Sequence, residues 1–152
     1  LDRPDKLTLA SVRIAMLGPI GLWPFGPGTL ASGIVALVWR LLPWPLAGWV
    51  VVVALWTAVG IPAADRAERD LGHDDSRIVI DEAVGMGIAL LGAPRSWIGA
   101  MAAFVLFRVL DIAKPPPLKQ LQLLAGGWGV VLDDVGAGAL AAIGIAVGFA
   151  VL

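Results

Sequence analysis

The residues that could do chemistry fall into four polar islands within an otherwise greasy chain. The most conspicuous is FVLFRVLDIAKP, residues 104–115. Arg108, Asp111 and Lys114 recur there at three-residue steps, which places them along one face of a helix. Ionisable groups on an apolar helix are costly, and inside a membrane they mark functional sites by default. A ladder of ion pairs at a membrane exit is the plainer alternative.

A second island, RIVIDEAVGMG at residues 77–87, carries the adjacent carboxylates Asp81 and Glu82 at the mouth of an apolar helix. Neighbours on a helix point about 100° apart, so one could face a shared site while the other anchors a neighbour, or both could reach one cation. An acidic pair also simply suits the first turn of a helix. A third island, GGWGVVLDDVGAG at 126–138, ends a Gly-rich loop with Asp133 and Asp134, directly before the apolar stretch 135–152. Two neighbouring carboxylates repel unless a cation sits between them. The fourth, PFGPGTLASG at 24–33, offers Gly28 for close backbone approach and Thr29 as a helix cap whose free N–H groups could face an anion. A turn entering a membrane with a helix cap would look the same. His73 and Asp74 in LGHDD are a weaker fifth element, and a lone loop histidine is usually just solvated.

Together these supply five carboxylates and two cations. Oxygen-only donors suit a hard divalent ion, foremost Mg²⁺. Arg and Lys beside it suit a phosphate. Metal-holding carboxylates with basic neighbours describe phosphoryl or phosphate-ester chemistry. With no cysteine in the chain, thiolate catalysis, zinc–thiolate sites and disulfides are excluded. A single histidine argues against a two-histidine phosphatase scheme.

The elements that must position these islands are membrane helices. The chain of 152 residues is 59% hydrophobic and 15% charged, with a mean hydropathy of +0.87. A soluble protein of this size cannot hide so much apolar surface. The net charge of -1 leaves no basic excess for nucleic acid. No cleavable signal peptide is expected, since the first apolar run lacks a small-residue cleavage site.

The pattern predicts an all-α integral membrane bundle of about five to six helices, some short or re-entrant, as one domain over residues 1–152. Helices are expected near 29–42, 46–64, 78–93, 96–113 and 135–152, with a short surface helix or arm before them. The third and fourth should form a hairpin, since neither uncharged run is long enough to span alone. A Gly144-x-x-x-Gly148 spacing could let another helix approach. Residues 65–77 and 114–134 read as polar loops. In this arrangement every Lys and Arg except Arg40 and Arg95 shares a side with all the acids, and the positive-inside rule makes that side cytoplasmic. Trp39, Trp44, Trp49 and Trp97 then form an aromatic belt at the opposite face.

At these residues the chain resembles the bacterial phosphatidylglycerophosphatase A family, from about Leu17 to Gly138. The resemblance rests on Pro27-Gly28-Thr29, His73-Asp74, Asp81-Glu82 with Gly85, Phe107 to Pro115, and Gly126 to Gly138, in order. Departures are small: Pro115-Pro116-Pro117 is unusually rigid, and Trp23 and Pro24 enrich the first loop. The resemblance implies a Mg²⁺-dependent, multi-pass enzyme of the bacterial inner membrane that converts phosphatidylglycerophosphate to phosphatidylglycerol and phosphate, with its site facing the cytoplasm. Asp81, Glu82, Asp111, Asp133 and Asp134 would hold metal. Arg108 and Lys114, with Gly28 and Thr29, would bind the phosphate. Asp81, Asp111, Asp134 and His73 are the catalytic candidates, and the general base is one of the carboxylates or His73. The partners implied are the lipid substrate and membrane lipids.

Two other classes stay open. A cation transporter would also keep carboxylates in a membrane, though near the midplane between broken helices, whereas these fall at helix ends. A scaffold whose charges only anchor helices would tolerate loss of Asp111, Asp133 and Asp134.

Overall fold

The computed structural model describes residues 6–72 and 75–151. The described residues are helical with no strand: α1 (Lys6–Ala15), α2 (Pro27–Leu41), α3 (Leu46–Leu71), α4 (Ile80–Ala89), α5 (Trp97–Ala113), α6 (Pro116–Leu121) and α7 (Gly127–Val151). Single 3-10 turns follow α1 and α4. Two of these helices, α3 and α7, are long and apolar enough to cross a membrane. The expected helical bundle is therefore present, with α1 in the place of the expected N-terminal helix or arm and α6 as a short addition.

Local chemistry sets the boundaries. Gly26, at φ 64°, turns the chain into α2, and Pro27 occupies the first helical position, where a missing N–H costs nothing. Pro43 and Pro45 separate α2 from α3. Ser96 caps α5, its hydroxyl accepting from the Gly99 N–H at 3.0 Å. Before α4, Arg77 grips the Asp75 carboxylate through Nε and Nη2, both at 2.8 Å. These hydrogen bonds hold the Asp75 carboxyl below the usual carboxylate range.

Two boundaries differ from expectation, and both bear on the site. Helix α3 continues through the charged stretch to Leu71, because Gly60, Ala63, Ala64 and Ala67 carry a buried small-residue stripe into it. Helix α7 begins at Gly127, ahead of the expected start at 135. The glycines of its first turn lie where side chains cannot fit: a Cβ on Gly127 would overlap the Ile61 carbonyl, and one on Gly129 the Leu124 carbonyl. Asp65 of α3 accepts from the Gly127 N–H at 3.3 Å, satisfying one free donor at the start of α7.

Helix α4 is the axis of the bundle. Seven of its ten residues are buried, among them Ile80, Val84, Gly85 and Met86. A helix apolar on all sides has no solvent face, and here α2, α3, α5 and α7 surround it. The helix is about 15 Å long at 1.5 Å per residue, short of a 30 Å hydrocarbon core, so it is one of the expected short elements. Helices α4 and α7 run parallel: a Cβ on Gly138 would strike the Gly85 carbonyl, and one on Gly92 the Ala142 backbone. These positions make the close helix approach, whereas a Cβ on Gly148 meets nothing. Of the Gly144-x-x-x-Gly148 pair, Gly144 does meet another helix, since a Cβ there would come 3.2 Å from Leu106 of α5.

The end of the bundle remote from the carboxylates is built from arginine and tryptophan. Arg95 donates to the carbonyls of Trp39, Leu42 and Trp44, closing the C-terminus of α2. Its guanidinium lies 5.4 Å from the Trp39 ring centre, and that of Arg40 lies 4.8 Å from Trp97. Trp39 and Trp49 depart from the expected belt: Trp39 is 4% exposed, and Trp49, 1% exposed, donates to the Gly87 carbonyl at 2.9 Å and ties α3 to α4 as a core residue.

Candidate active site

The start of α4, the second turn of α7, the start of α2 and the end of α5 meet at one end of the bundle. Asp81 and Glu82 come from α4 and Asp134 from α7. One carboxylate oxygen from each lies within 4.8 Å of the other two. Asp134 is 3% exposed. Asp81 Oδ1, Glu82 Oε2 and Asp134 Oδ2 are buried and have no hydrogen-bond partner among the described residues. Three carboxylates converging with unpartnered oxygens form a group that could hold a metal ion, because only a cation or protons relieve that repulsion. The donors are all oxygen, which suits a hard ion.

The convergence follows from the helix starts. Because α7 begins early, Asp133 and Asp134 sit inside it rather than in a loop ahead of it, and about 100° separates their directions. Asp134 faces the cluster. Asp133 turns away and accepts from Lys114 Nζ at 2.7 Å. Its second oxygen accepts the Asp134 N–H at 3.0 Å. Asp81 and Glu82 both reach the cluster, which resolves the two possibilities left by their adjacency.

Arg108 forms the cationic wall. Its Nη1 bonds Asp111 Oδ2 at 2.5 Å and stands 3.9 Å from Glu82 Oε1. Its Nη2 donates to Thr29 Oγ1 at 3.3 Å, and its Nε is buried without a partner among the described residues. Of the expected metal ligands, Asp111 therefore engages Arg108 and Asp133 engages Lys114, while Asp81, Glu82 and Asp134 form the open cluster. Lys114 sits in the left-handed region at φ 42°, where it ends α5. That conformation is strained for a residue before proline, and it turns the chain toward α6.

Thr29 does not cap α2 as expected. Thr29 lies within the first turn of α2, and Gly26 stands at the cap position. Gly28 is buried, and a Cβ there would overlap the Glu82 carboxylate. The glycine makes room for Glu82 to reach the cluster. Ser32 secures the same turn by donating to the Gly28 carbonyl at 2.8 Å. His73 and Asp74 lie outside the described residues. Sequence reasoning missed Asp65, which sets the start of α7. An acidic residue facing a Gly-Gly pair across helices leaves no local signal.

Fold and site together define a class: an all-helical apolar protein with an acidic, arginine-lined centre suited to a phosphate ester. The chain belongs to the phosphatidylglycerophosphatase A family, whose model matches residues 13–149, and it is a phosphatase. A putative phosphatidylinositol-3-phosphatase of Bacteroides thetaiotaomicron is 41% identical over 136 residues, 84% of this chain and 86% of the relative. The phosphatidylglycerophosphatase A of Escherichia coli is 38% identical, covering 80% of this chain and 73% of the relative. That of Haemophilus influenzae is 34% identical, covering 81% and 84%. No solved structure matches.

Proposed function

We propose that the protein hydrolyses the phosphate monoester of phosphatidylglycerophosphate, giving phosphatidylglycerol and phosphate, at the cytoplasmic face of a bacterial inner membrane. The observation that carries this reading is the convergence of Asp81, Glu82 and Asp134, with unpartnered buried oxygens, beside the Arg108 guanidinium. The family membership and two relatives named phosphatidylglycerophosphatase A support the headgroup.

Asp81, Glu82 and Asp134 would hold Mg²⁺, with Asp111 and Asp133 close by. Bound there, the ion supplies positive charge that polarises a phosphoryl oxygen and favours ionisation of water. Arg108 binds the phosphate oxygens and stabilises the charge that develops on them, with Thr29 beside it. Asp111 fixes the arginine in that orientation through its 2.5 Å bond. Lys114 adds positive potential from the end of α5. A water oxygen attacks phosphorus, and its proton passes to a carboxylate of the cluster or to His73. The ester P–O bond breaks, and the departing glycerol oxygen takes a proton. Basic residues of the N-terminal region and Lys119 draw the site toward anionic lipid.

A second lipid phosphomonoester has an observation in its favour, because the Bacteroides relative is named for phosphatidylinositol 3-phosphate. The test is phosphate release from both lipids by purified protein in detergent, with Mg²⁺ and with EDTA, for wild type and Asp134→Asn. Faster release from phosphatidylglycerophosphate, abolished by EDTA and reduced about a hundredfold or more in the variant, is the expected result. Mg²⁺ should also raise the melting temperature of the wild type and leave that of Asp134→Asn unmoved. Preference for the inositol lipid would overturn the headgroup. Release that persists in EDTA would overturn the metal.

A further inference from the structure

Two apolar hollows on the outside of the bundle share residues and lead away from the site. One, about 440 Å³, is lined by Trp23, Phe25, Thr29, Gly33 and Leu37 among others. The next, about 210 Å³, lies between α2 and α5 and is lined by Gly33, Leu37, Trp97, Met101 and Phe104 among others. Gly33 and Leu37 belong to both, so the two join into one groove along α2. The groove begins at Thr29, whose hydroxyl accepts from Arg108, and runs to Trp97 at the far end of the bundle. From Thr29 to Leu37 it covers about 12 Å at 1.5 Å per residue. Gly33 lines both hollows without a side chain, and a Cβ there would stand 3.9 Å from Phe104, in ordinary contact, so a small side chain fits and only a large one would fill the groove.

Other hollows lack this continuity. The cavity of about 640 Å³ lined by Arg13, Trp56 and Val59 among others holds none of the carboxylates. The hollow between α5 and α7 beside Gly144 and Gly148 is apolar throughout. Only the α2–α5 groove, among these, starts at a residue bonded to the cationic wall of the site.

We propose that this groove holds an acyl chain of the lipid substrate, with Gly33 and Leu37 setting the chain's fit while Arg108 holds the phosphate. The inference rests on the lipid phosphomonoesterase reading above and adds where the apolar part of the substrate lies. A phosphate pinned at Arg108 leaves the rest of the molecule to run along the bundle's surface, and the groove is the apolar path that begins there. Burial of each methylene against Gly33, Leu37 and Phe104 adds binding in proportion to chain length.

The experiment compares phosphatidylglycerophosphate bearing palmitoyl chains with the same headgroup on hexanoyl chains, for wild type, Gly33→Phe, Leu37→Trp and Gly148→Phe. Gly33→Phe, or Leu37→Trp if the first fails to fold, should lower kcat/KM for the long-chain lipid about tenfold and leave the short-chain lipid within about twofold. Gly148→Phe, in the separate hollow between α5 and α7, should change neither. Equal loss on both lipids, or no loss on either, in a folded Gly33→Phe protein would overturn the groove. If wild type cleaves neither lipid, the enzymatic reading fails, and the groove is then judged by photolabelling. The probe is phosphatidic acid with a diazirine in its acyl chain, in phosphatidylcholine vesicles. Label concentrated on peptides containing Gly33–Leu37 or Trp97–Phe104, and lost in Gly33→Phe, would support the groove. Label as heavy on α3 and α7, or indifferent to the substitution, would remove it.

Discussion

At the scale of single residues, the site depends on what is missing as much as on what is charged. Glu82 reaches Asp81 and Asp134 only because residue 28 has no side chain. Gly28→Ala should therefore leave the fold intact, because the atom it displaces is the end of a flexible side chain. It should still push the carboxylate out of the cluster. A misplacement of about 1 Å in a catalytic group can cost a hundredfold in rate. The expected result is a protein with the wild-type melting temperature and phosphate release lowered about a hundredfold. Loss of both together would mean that Gly28 serves packing, and retention of both would remove Glu82 from the working set. The charged residues divide the labour. Arg108–Asp111 and Lys114–Asp133 are hydrogen-bonded ion pairs, whereas Asp81, Glu82 and Asp134 retain open oxygens. A buried pair broken by removing one partner leaves an uncompensated charge, so Asp133 and Asp111 carry structural as well as chemical weight.

At the scale of elements, the parallel crossing of α4 and α7 positions the cluster. Gly138 sits against the Gly85 backbone, and a Cβ added to Gly85 would come within 2.6 Å of the Asp134 carbonyl oxygen and of the Phe107 ring. The crossing that lets the backbones touch also brings Asp134 beside Asp81 and Glu82. Gly138→Leu should force the helices apart and destabilise the protein by about 2 kcal/mol or more, since overpacking a filled core costs about 1–3 kcal/mol. Gly148→Leu, where a Cβ meets nothing, should be close to neutral, and thermal unfolding in detergent distinguishes the two. Much of this level is legible in the sequence. The apolar runs and the Pro43 and Pro45 break locate α2, α3 and α5, because helix breakers and charge act locally. The starts of α7 and the end of α3 are not legible, because both depend on contacts between helices. Gly126-Gly127 reads as a loop until Asp65 and the Ile61 carbonyl are seen against it. Trp49 reads as a belt residue until its indole is found bonded to Gly87. The charged positions of the candidate site stand out in the sequence by type and spacing. Their sorting into an open cluster and closed ion pairs does not, since it depends on which way Asp133 and Asp134 point once α7 includes them.

At the scale of the molecule, the two ends of the bundle are chemically opposite. One end gathers the carboxylates, Arg108 and Lys114. The other has Arg40 and Arg95 stacked on tryptophans, with Arg95 closing the end of α2. Amphipathic rings and arginines of this kind suit a membrane interface. The imbalance of cations between the ends should orient the protein, with the carboxylate end on the cytoplasmic side. The chain has no cysteine, so single thiols can be introduced without background. Ser76, exposed before α4, and Leu41, 59% exposed at the end of α2, mark the opposite ends. A membrane-impermeant maleimide added to spheroplasts should label Leu41→Cys and spare Ser76→Cys until the membrane is broken. The reverse pattern would place the site outside the cytoplasm, against the distribution of Lys and Arg. Equal labelling of both before lysis would mean that the bundle does not divide the membrane as its charge asymmetry requires. With Leu41 alone labelled, the polar end of the bundle faces the cytoplasm, and the proposed lipid phosphate would reach Thr29 and Arg108 from that side.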